Sequence, residues 1–300
     1  MPIVRVLVLA ILVSVSAVTF ATEPTRHTVI ADGHPLALWE KGSDSAARTI
    51  LLLHGRTYSA LPDFDLQTAD ENLSFMDELV KRGFRVFALD ARGYGGSERD
   101  NSGWLTPDRA VKDALIVLDW IKTQTKTTPH LFGWSYGSMV SQMVAQRSPD
   151  SISSLLLFGY PFDPSRHVAD PKMEYPDTPP AKTNTAAHAA SDFITPGSIS
   201  QSAIQAYVAM ALKADPVRVD FKNLHEWAEL DATKVSSPTL LLQGEFDPIA
   251  PIHIQQALFT GLNTQKKWWM VLAGGDHAAL LEKPRIEMLD AISTFASHVD

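Results

Sequence analysis

Apolar positions fall along this chain in short unbroken runs that alternate with longer stretches of helical spacing. Residues 49–53 and 84–89 read as strands buried on both faces, and residues 154–158, 239–243 and 267–272 and the run into Trp134 as further strands. Helices are predicted between them. Residues 71–82 carry Leu73, Met76, Leu79 and Val80 at helical spacing and stop at Gly83. Thr106 caps a helix that starts at Pro107 and runs through Ile121. Further helical stretches cover residues up to about 147, then 252–262 and 283–297. Ahead of all these, residues 27–32 and 35–40 flank Asp32-Gly33-His34 and read as a hairpin. Strand and helix in alternation predict an α/β fold, a mostly parallel sheet with helices on both faces. No internal repeat is visible.

The alternation breaks once. Residues 159–196 are rich in Pro, Asp, Thr and Ala with little periodicity, and 198–230 turn helical. That shift predicts an inserted helical cap over residues 161–234, with an irregular entry and two or three helices. The core is then split into 22–160 and 235–300. Residues 1–21 stand apart: Arg5, an apolar run from Val6 to Val18, and Thr19-Phe20-Ala21 before polar residues have the shape of a secretory signal peptide. Cleavage is expected after Ala21, with Ala17 as a second site and an uncleaved anchor as the alternative. A periplasmic or secreted protein with no membrane span after removal of the leader is the expectation.

Composition narrows the partners. The 300 residues are 45% hydrophobic and 20% charged, as in a globular protein with material for one large core. The formal net charge of −8 supplies no basic stripe to neutralise phosphates, so nucleic-acid binding has little support. There is no cysteine, which removes disulfides, thiol nucleophiles and thiolate metal sites. No spacing of His or carboxylates suggests a metal, and no cofactor is called for.

Chemistry concentrates where the predicted strands end, as expected for a parallel sheet. Gly133-Trp-Ser135-Tyr-Gly137 is a G-x-S-x-G pattern between a strand and a helix, a turn so tight that the positions two before and two after the serine must lack a Cβ. His54-Gly55-Arg56, the loop 90–97, Asp247 and His277 follow four other strands. Nucleophile, acid and base thus occur in the order Ser135, Asp247, His277.

On these pieces the chain resembles the α/β-hydrolase superfamily. The similarity spans residues 27–300 apart from the cap and rests on Leu-Leu-Leu-His-Gly at 51–55, Asp-Ala-Arg-Gly-Tyr-Gly-Gly-Ser at 90–97, the serine pattern, Gly-Glu-Phe-Asp-Pro-Ile-Ala-Pro at 244–251 and Gly-Gly-Asp-His at 274–277. The resemblance implies Ser135 as nucleophile, His277 as general base and then acid, and Asp247 as the carboxylate that orients the imidazole. It also implies an oxyanion hole from the backbone N–H groups of Arg56 and Tyr136. His54 becomes a residue that holds the oxyanion loop, and Asp90 with Arg92 a pair that braces the next one.

The competing candidates are Asp163, an alternative acid just past the strand at 154–158; Asp276, read as a turn residue; His253, read as a surface residue; and Trp268 and Trp269, read as packing. Serine at the elbow argues for acyl transfer, with a small-molecule carboxylic ester as the leading substrate. Peptidase, thioesterase, lactonase, carbon–carbon hydrolase and perhydrolase chemistry use the same three residues. A scaffold without turnover is the alternative of another class. Substrate contacts are expected from the cap, where Phe162, Tyr175, Phe193, Tyr207, Phe221 and Trp227 are candidates, and from the side chains of Arg56 and Tyr58. Oligomeric state is left open.

Overall fold

A run such as Ile50-Leu51-Leu52-Leu53 can be wholly apolar only if the sheet is covered on both faces, and the computed structural model, which describes residues 23–300, shows how. Successive residues face opposite ways. Ile50 and Leu52 join a core with Phe64, Phe75, Met288 and Phe295, while Leu51 and Leu53 join one with Val111, Leu118, Val144 and Leu258. The signal-peptide expectation concerns residues that lie outside those described.

The strands are β1 (Thr25–Ala31), β2 (His34–Lys41), β3 (Arg48–Leu53), β4 (Phe84–Leu89), β5 (Trp104–Leu105), β6 (His130–Trp134), β7 (Leu155–Phe158), β8 (Asp220–Phe221), β9 (Thr239–Gly244) and β10 (Lys267–Leu272). Eight of them form one sheet in the order β1-β2-β4-β3-β6-β7-β9-β10. β1 and β2 are antiparallel, β2 pairs antiparallel with β4, and every other pairing is parallel. The first pair is the predicted hairpin, turned by Asp32 and Gly33 at φ 53° and 76°.

The helices are α1 (Ala60–Phe64), α2 (Phe75–Lys81), α3 (Pro107–Thr125), α4 (Tyr136–Arg147), α5 (Pro164–His167), α6 (Ala186–Ala190), α7 (Gln201–Ala214), α8 (Ile252–Gly261) and α9 (Arg285–Val299). Side chains of α3, α4 and α8 pack in one core, and those of α1, α2, α7 and α9 in the other. α3 is capped as predicted, the Thr106 hydroxyl accepting the Arg109 N–H at 3.1 Å. α2 is shorter than the predicted 71–82. Ser74 takes the N-cap position, accepting the Asp77 N–H at 2.9 Å, and the Leu73 N–H is drawn back to the Leu66 carbonyl at 3.0 Å. Leu73 is therefore apolar because it is buried in the turn before the helix, not because it lies on it.

Between β7 and β9 the chain makes α5, α6, α7 and two short 3-10 turns, Leu224–Glu229 and Ala232–Lys234. It also contributes β8, which pairs in parallel with β5 as a separate two-stranded sheet. No helix among the described residues is long and apolar enough to cross a membrane.

Candidate active site

The turn from β6 into α4 holds Ser135 at φ 54°, ψ −117°, a conformation costly for any residue with a Cβ. The flanking glycines make it possible. A Cβ on Gly133 would collide with the backbone of Gly137, and one on Gly137 with the carbonyl of Leu53 on β3. Below the turn, the Ser141 hydroxyl donates to the Gly137 carbonyl at 2.7 Å. Ser135 is thereby lifted clear of the sheet at the head of α4, half-buried while its neighbours are buried.

The structure brings the three separated side chains into one chain of contacts. The Ser135 hydroxyl lies 2.9 Å from His277 Nε2, and His277 Nδ1 lies 2.8 Å from Asp247 Oδ2. The other oxygen of Asp247 accepts the N–H groups of Ile249 at 2.9 Å and Ala250 at 3.0 Å, which fixes the carboxylate. A carboxylate oxygen accepts, so Nδ1 carries the imidazole proton and Nε2 is left to take one from the serine. His277 is held from behind as well, since Trp134 Nε1 donates to its carbonyl at 2.7 Å. The loops bearing acid and base are stitched together by Phe246 N–H to Gly275 carbonyl at 2.8 Å. A Cβ on Gly244 would overlap the backbone of Asp276, so that approach requires glycine.

Other candidates fall elsewhere. Asp163 caps the short α5 through the Ser165 N–H at 2.9 Å and makes no hydrogen bond to His277. His253 is exposed on α8. Trp268 packs edge-on to Phe295 at 5.2 Å, and Trp269 lies against Phe259. Asp90 and Arg92 do not pair with each other. Asp90 accepts from the N–H groups of Ala60 and Gly96 and from Trp39 Nε1 at 2.8–2.9 Å, whereas Arg92 forks onto Asp113 at 2.8 and 2.9 Å. Each braces a different wall of the glycine-rich loop. His54 is buried, and burial pushes its pKa down to about 4. The neutral ring donates from Nδ1 to the Gly55 carbonyl at 2.7 Å and accepts the Ala91 N–H on Nε2 at 3.1 Å.

Gly159 and Asp192, near the site, escaped the sequence, and the turn reading of Asp276 is too modest. Gly159, just past β7 at φ 59°, lies directly under the imidazole; a Cβ there would stand 3.0 Å from His277 Cε1. Asp276 is no mere turn residue. It is fully buried and accepts the N–H groups of Ile194 at 3.0 Å and Thr195 at 2.6 Å, tying the histidine loop to the segment between β7 and β9. Asp192 faces the site from that segment, and burial raises its pKa to about 6. Gly159 and Asp192 carry no local signal beyond their residue type.

Above Ser135 lies a cavity of about 390 Å³. Arg56, Tyr58, Tyr136 and His277 line it from the core, as do Tyr207, Phe221 and Trp227 from the segment between β7 and β9. Phe162, Tyr175 and Phe193 are absent from its wall; they pack on Tyr160, Trp104 and Tyr207 respectively. The Arg56 guanidinium lies 5.1 Å from the centre of the Phe221 ring. The Tyr58 hydroxyl is 3.5 Å from His188 Nδ1. Tyr136 opens α4, so its N–H is among the first-turn donors that have no acceptor within the helix.

Residues 46–284 match the Hydrolase_4 family, described as serine aminopeptidase, S33. The chain belongs to this α/β-hydrolase family. The hydrolase is 29% identical to human serine hydrolase BPHL over 143 residues, 48% of this chain and 45% of that protein. It is 27% identical to the AB hydrolase superfamily protein YisY of Bacillus subtilis (strain 168) over 238 residues, 72% of this chain and 83% of that one. The chain thus spans less than half the length of BPHL. Among solved structures, a serine hydrolase involved in carbazole degradation, the CarC enzyme, superposes with a TM-score of 0.66 at 17% identity, covering 91% of this chain and 99% of that one. That likeness is one of fold. Family and relatives agree on the α/β-hydrolase type, and the serine hydrolases among them are what this chain is similar to.

Proposed function

We propose that this hydrolase cleaves carboxylic esters through an acyl-enzyme on Ser135. His277 takes the serine proton as the hydroxyl attacks the carbonyl and returns it to the leaving alcohol. It then activates the water that releases the acid, while Asp247 holds the ring in the required tautomer. The oxygen that becomes anionic in the tetrahedral intermediate is met by the N–H groups of Arg56 and Tyr136, each worth on the order of 10² to 10³ in rate. The observation that supports this reading best is the unbroken series Ser135–His277–Asp247 at 2.9 and 2.8 Å, opening onto the cavity. Residues 161–234 act as the cap, and the aromatic wall of Tyr207, Phe221 and Trp227 receives the apolar part of the substrate.

Turnover of p-nitrophenyl esters of graded chain length by the purified protein, lost in Ser135→Ala together with labelling by a fluorophosphonate, tests the mechanism. Thioester, lactone and peptide panels run beside it test the bond. Higher kcat/KM on one of those panels replaces the ester reading, and no turnover or labelling on any of them removes the enzyme reading. Residues 1–21 are proposed to direct export and to be cleaved after Ala21. Protein recovered from the host with Met1 at its amino terminus contradicts that.

A further inference from the structure

The loop after β3 is held by side chains at consecutive peptide planes. The Gly55 N–H donates to Asp63 Oδ2 at 3.2 Å, the Gly55 carbonyl accepts from His54 Nδ1 at 2.7 Å, and the Arg56 carbonyl accepts from the Tyr94 hydroxyl. A trans peptide sets its C=O and N–H on opposite sides of one rigid plane. Gripping the Gly55 carbonyl therefore aims the Arg56 N–H, and gripping the Gly55 N–H sets the plane before it.

Two of the three anchors are tied only within the core. His54 is secured by the Ala91 N–H, and Tyr94 lies in the loop after β4. Asp63, on α1, differs. Its other oxygen accepts the Tyr207 hydroxyl at 3.1 Å, and Tyr207 stands on α7, in the segment between β7 and β9. Both side chains are 1% exposed and border the cavity. The Tyr207 ring is pinned edge-on by Tyr58 at 5.9 Å and Phe193 at 5.1 Å. A buried carboxyl that gave only stability to α1 would not need to face the catalytic cavity or to bridge two distant segments.

We propose that Tyr207 and Asp63 are positioning residues that transmit the seating of α7 to the His54–Gly55 peptide, the plane before the one that carries the Arg56 N–H, and so help aim that N–H at the substrate's carbonyl oxygen. The inference rests on the ester-hydrolase reading above. The part of the chain that shapes the acyl pocket thereby also adjusts the group that meets developing charge. Because that charge exists only in the transition state, loosening the link lowers kcat and leaves KM nearly unchanged. Asparagine at position 63 keeps one oxygen for the Gly55 N–H and offers its amide to the Tyr207 oxygen, which both donates and accepts.

The test compares wild type, Tyr207→Phe, Asp63→Ala and Asp63→Asn, with Ser135→Ala as control, on the best p-nitrophenyl ester. It reads kcat, KM, Tm and the inhibition constant of an alkylboronic acid, whose tetrahedral serine adduct places an oxygen where the oxyanion forms. Asp63→Ala is expected to lower kcat about 30- to 300-fold and to weaken the boronate by a like factor, with KM within about threefold. Tyr207→Phe should lower kcat about five- to tenfold, and Asp63→Asn should return to within about fivefold of wild type. Unchanged kcat and boronate affinity in Tyr207→Phe overturn the proposal, and so does a loss in Asp63→Ala that Asp63→Asn fails to restore. Should Asp63→Ala not fold, Tyr207→Phe and Asp63→Asn decide alone. Wild-type protein without Ser135-dependent turnover defeats the functional reading itself, whereas turnover with an indifferent Tyr207→Phe defeats only this inference.

Discussion

Alanine in place of Gly159 tests the geometry under the imidazole without replacing a reacting group. A Cβ there would stand 3.0 Å from His277 Cε1, 3.1 Å from Nδ1 and 3.3 Å from Asp247 Oδ2. Carbon contacts are comfortable from about 3.5 Å, so the ring must move by about 0.5 Å. It has little freedom to do so, with Asp247 on one nitrogen and Trp134 on its carbonyl. A displacement of about 1 Å can cost about 10² in rate, and half of that costs about tenfold, or ~1.4 kcal/mol of barrier. Alanine at φ 59° adds a separate cost of about 1–2 kcal/mol to folding. At about 2–4 °C per kcal/mol, Tm should fall by several degrees. Steady-state ester hydrolysis well below Tm should show kcat down about tenfold with KM little changed. A variant whose Tm drops while kcat stays within about twofold of wild type would show that the close approach of Gly159 has no catalytic consequence.

Two further outcomes follow from buried groups. Unfolded His54 takes up a proton near its ordinary value of 6.5, and folded His54 only near about 4. Between those values the unfolded state holds more protons at this site, so the stability linked to His54 is full above pH 6.5 and falls as the pH drops toward 4, by up to about 3 kcal/mol. Burial lowers His130 to about 4 as well, which adds to the same slope. Buried Asp90 and Asp192, raised to about 6, titrate in the opposite sense over this range, so denaturant melts at pH 7 and pH 5 are compared between wild type and His54→Asn, and an equal pH dependence in the two contradicts the reading. Asp276→Ala strips the acceptor from the Ile194 and Thr195 N–H groups and should cost about 1–3 kcal/mol. Limited proteolysis should then cut near residue 195 faster than in wild type; unaltered cleavage and Tm refute the tether.

Strands were the most legible part of the sequence, because a strand buried on both faces writes itself as a local apolar run. The expected bounds 84–89 coincide with β4; those of 267–272 coincide with β10 too, although that edge strand is buried only at Leu272. Leu73 misled for the complementary reason: burial by a turn looks like burial by a helix when only spacing is read. Pairings between remote segments left no trace. Trp104–Leu105 meets Asp220–Phe221 in a two-residue ladder that neither stretch announces. Lys41 is buried between Asp65 at 2.6 Å and Asp77 at 2.7 Å, and each reads in sequence as an ordinary surface charge. The same holds around the site. Ser135, Asp247 and His277 could be put forward as candidates because strand ends are loud, whereas the contacts of Gly159, Asp276, Asp63 and Tyr207 depend on what the fold sets beside them.

The sheet order has a temporal consequence. β10 lies at the rim, paired only with β9, and His277 comes after it, 142 residues beyond Ser135. A nascent chain can complete β3, β6 and the serine turn long before the ribosome has made the imidazole. On the mechanism proposed above, the nucleophile is thus built early and armed late, so a partly synthesised or clipped molecule that still exposes its serine has no base to deprotonate it.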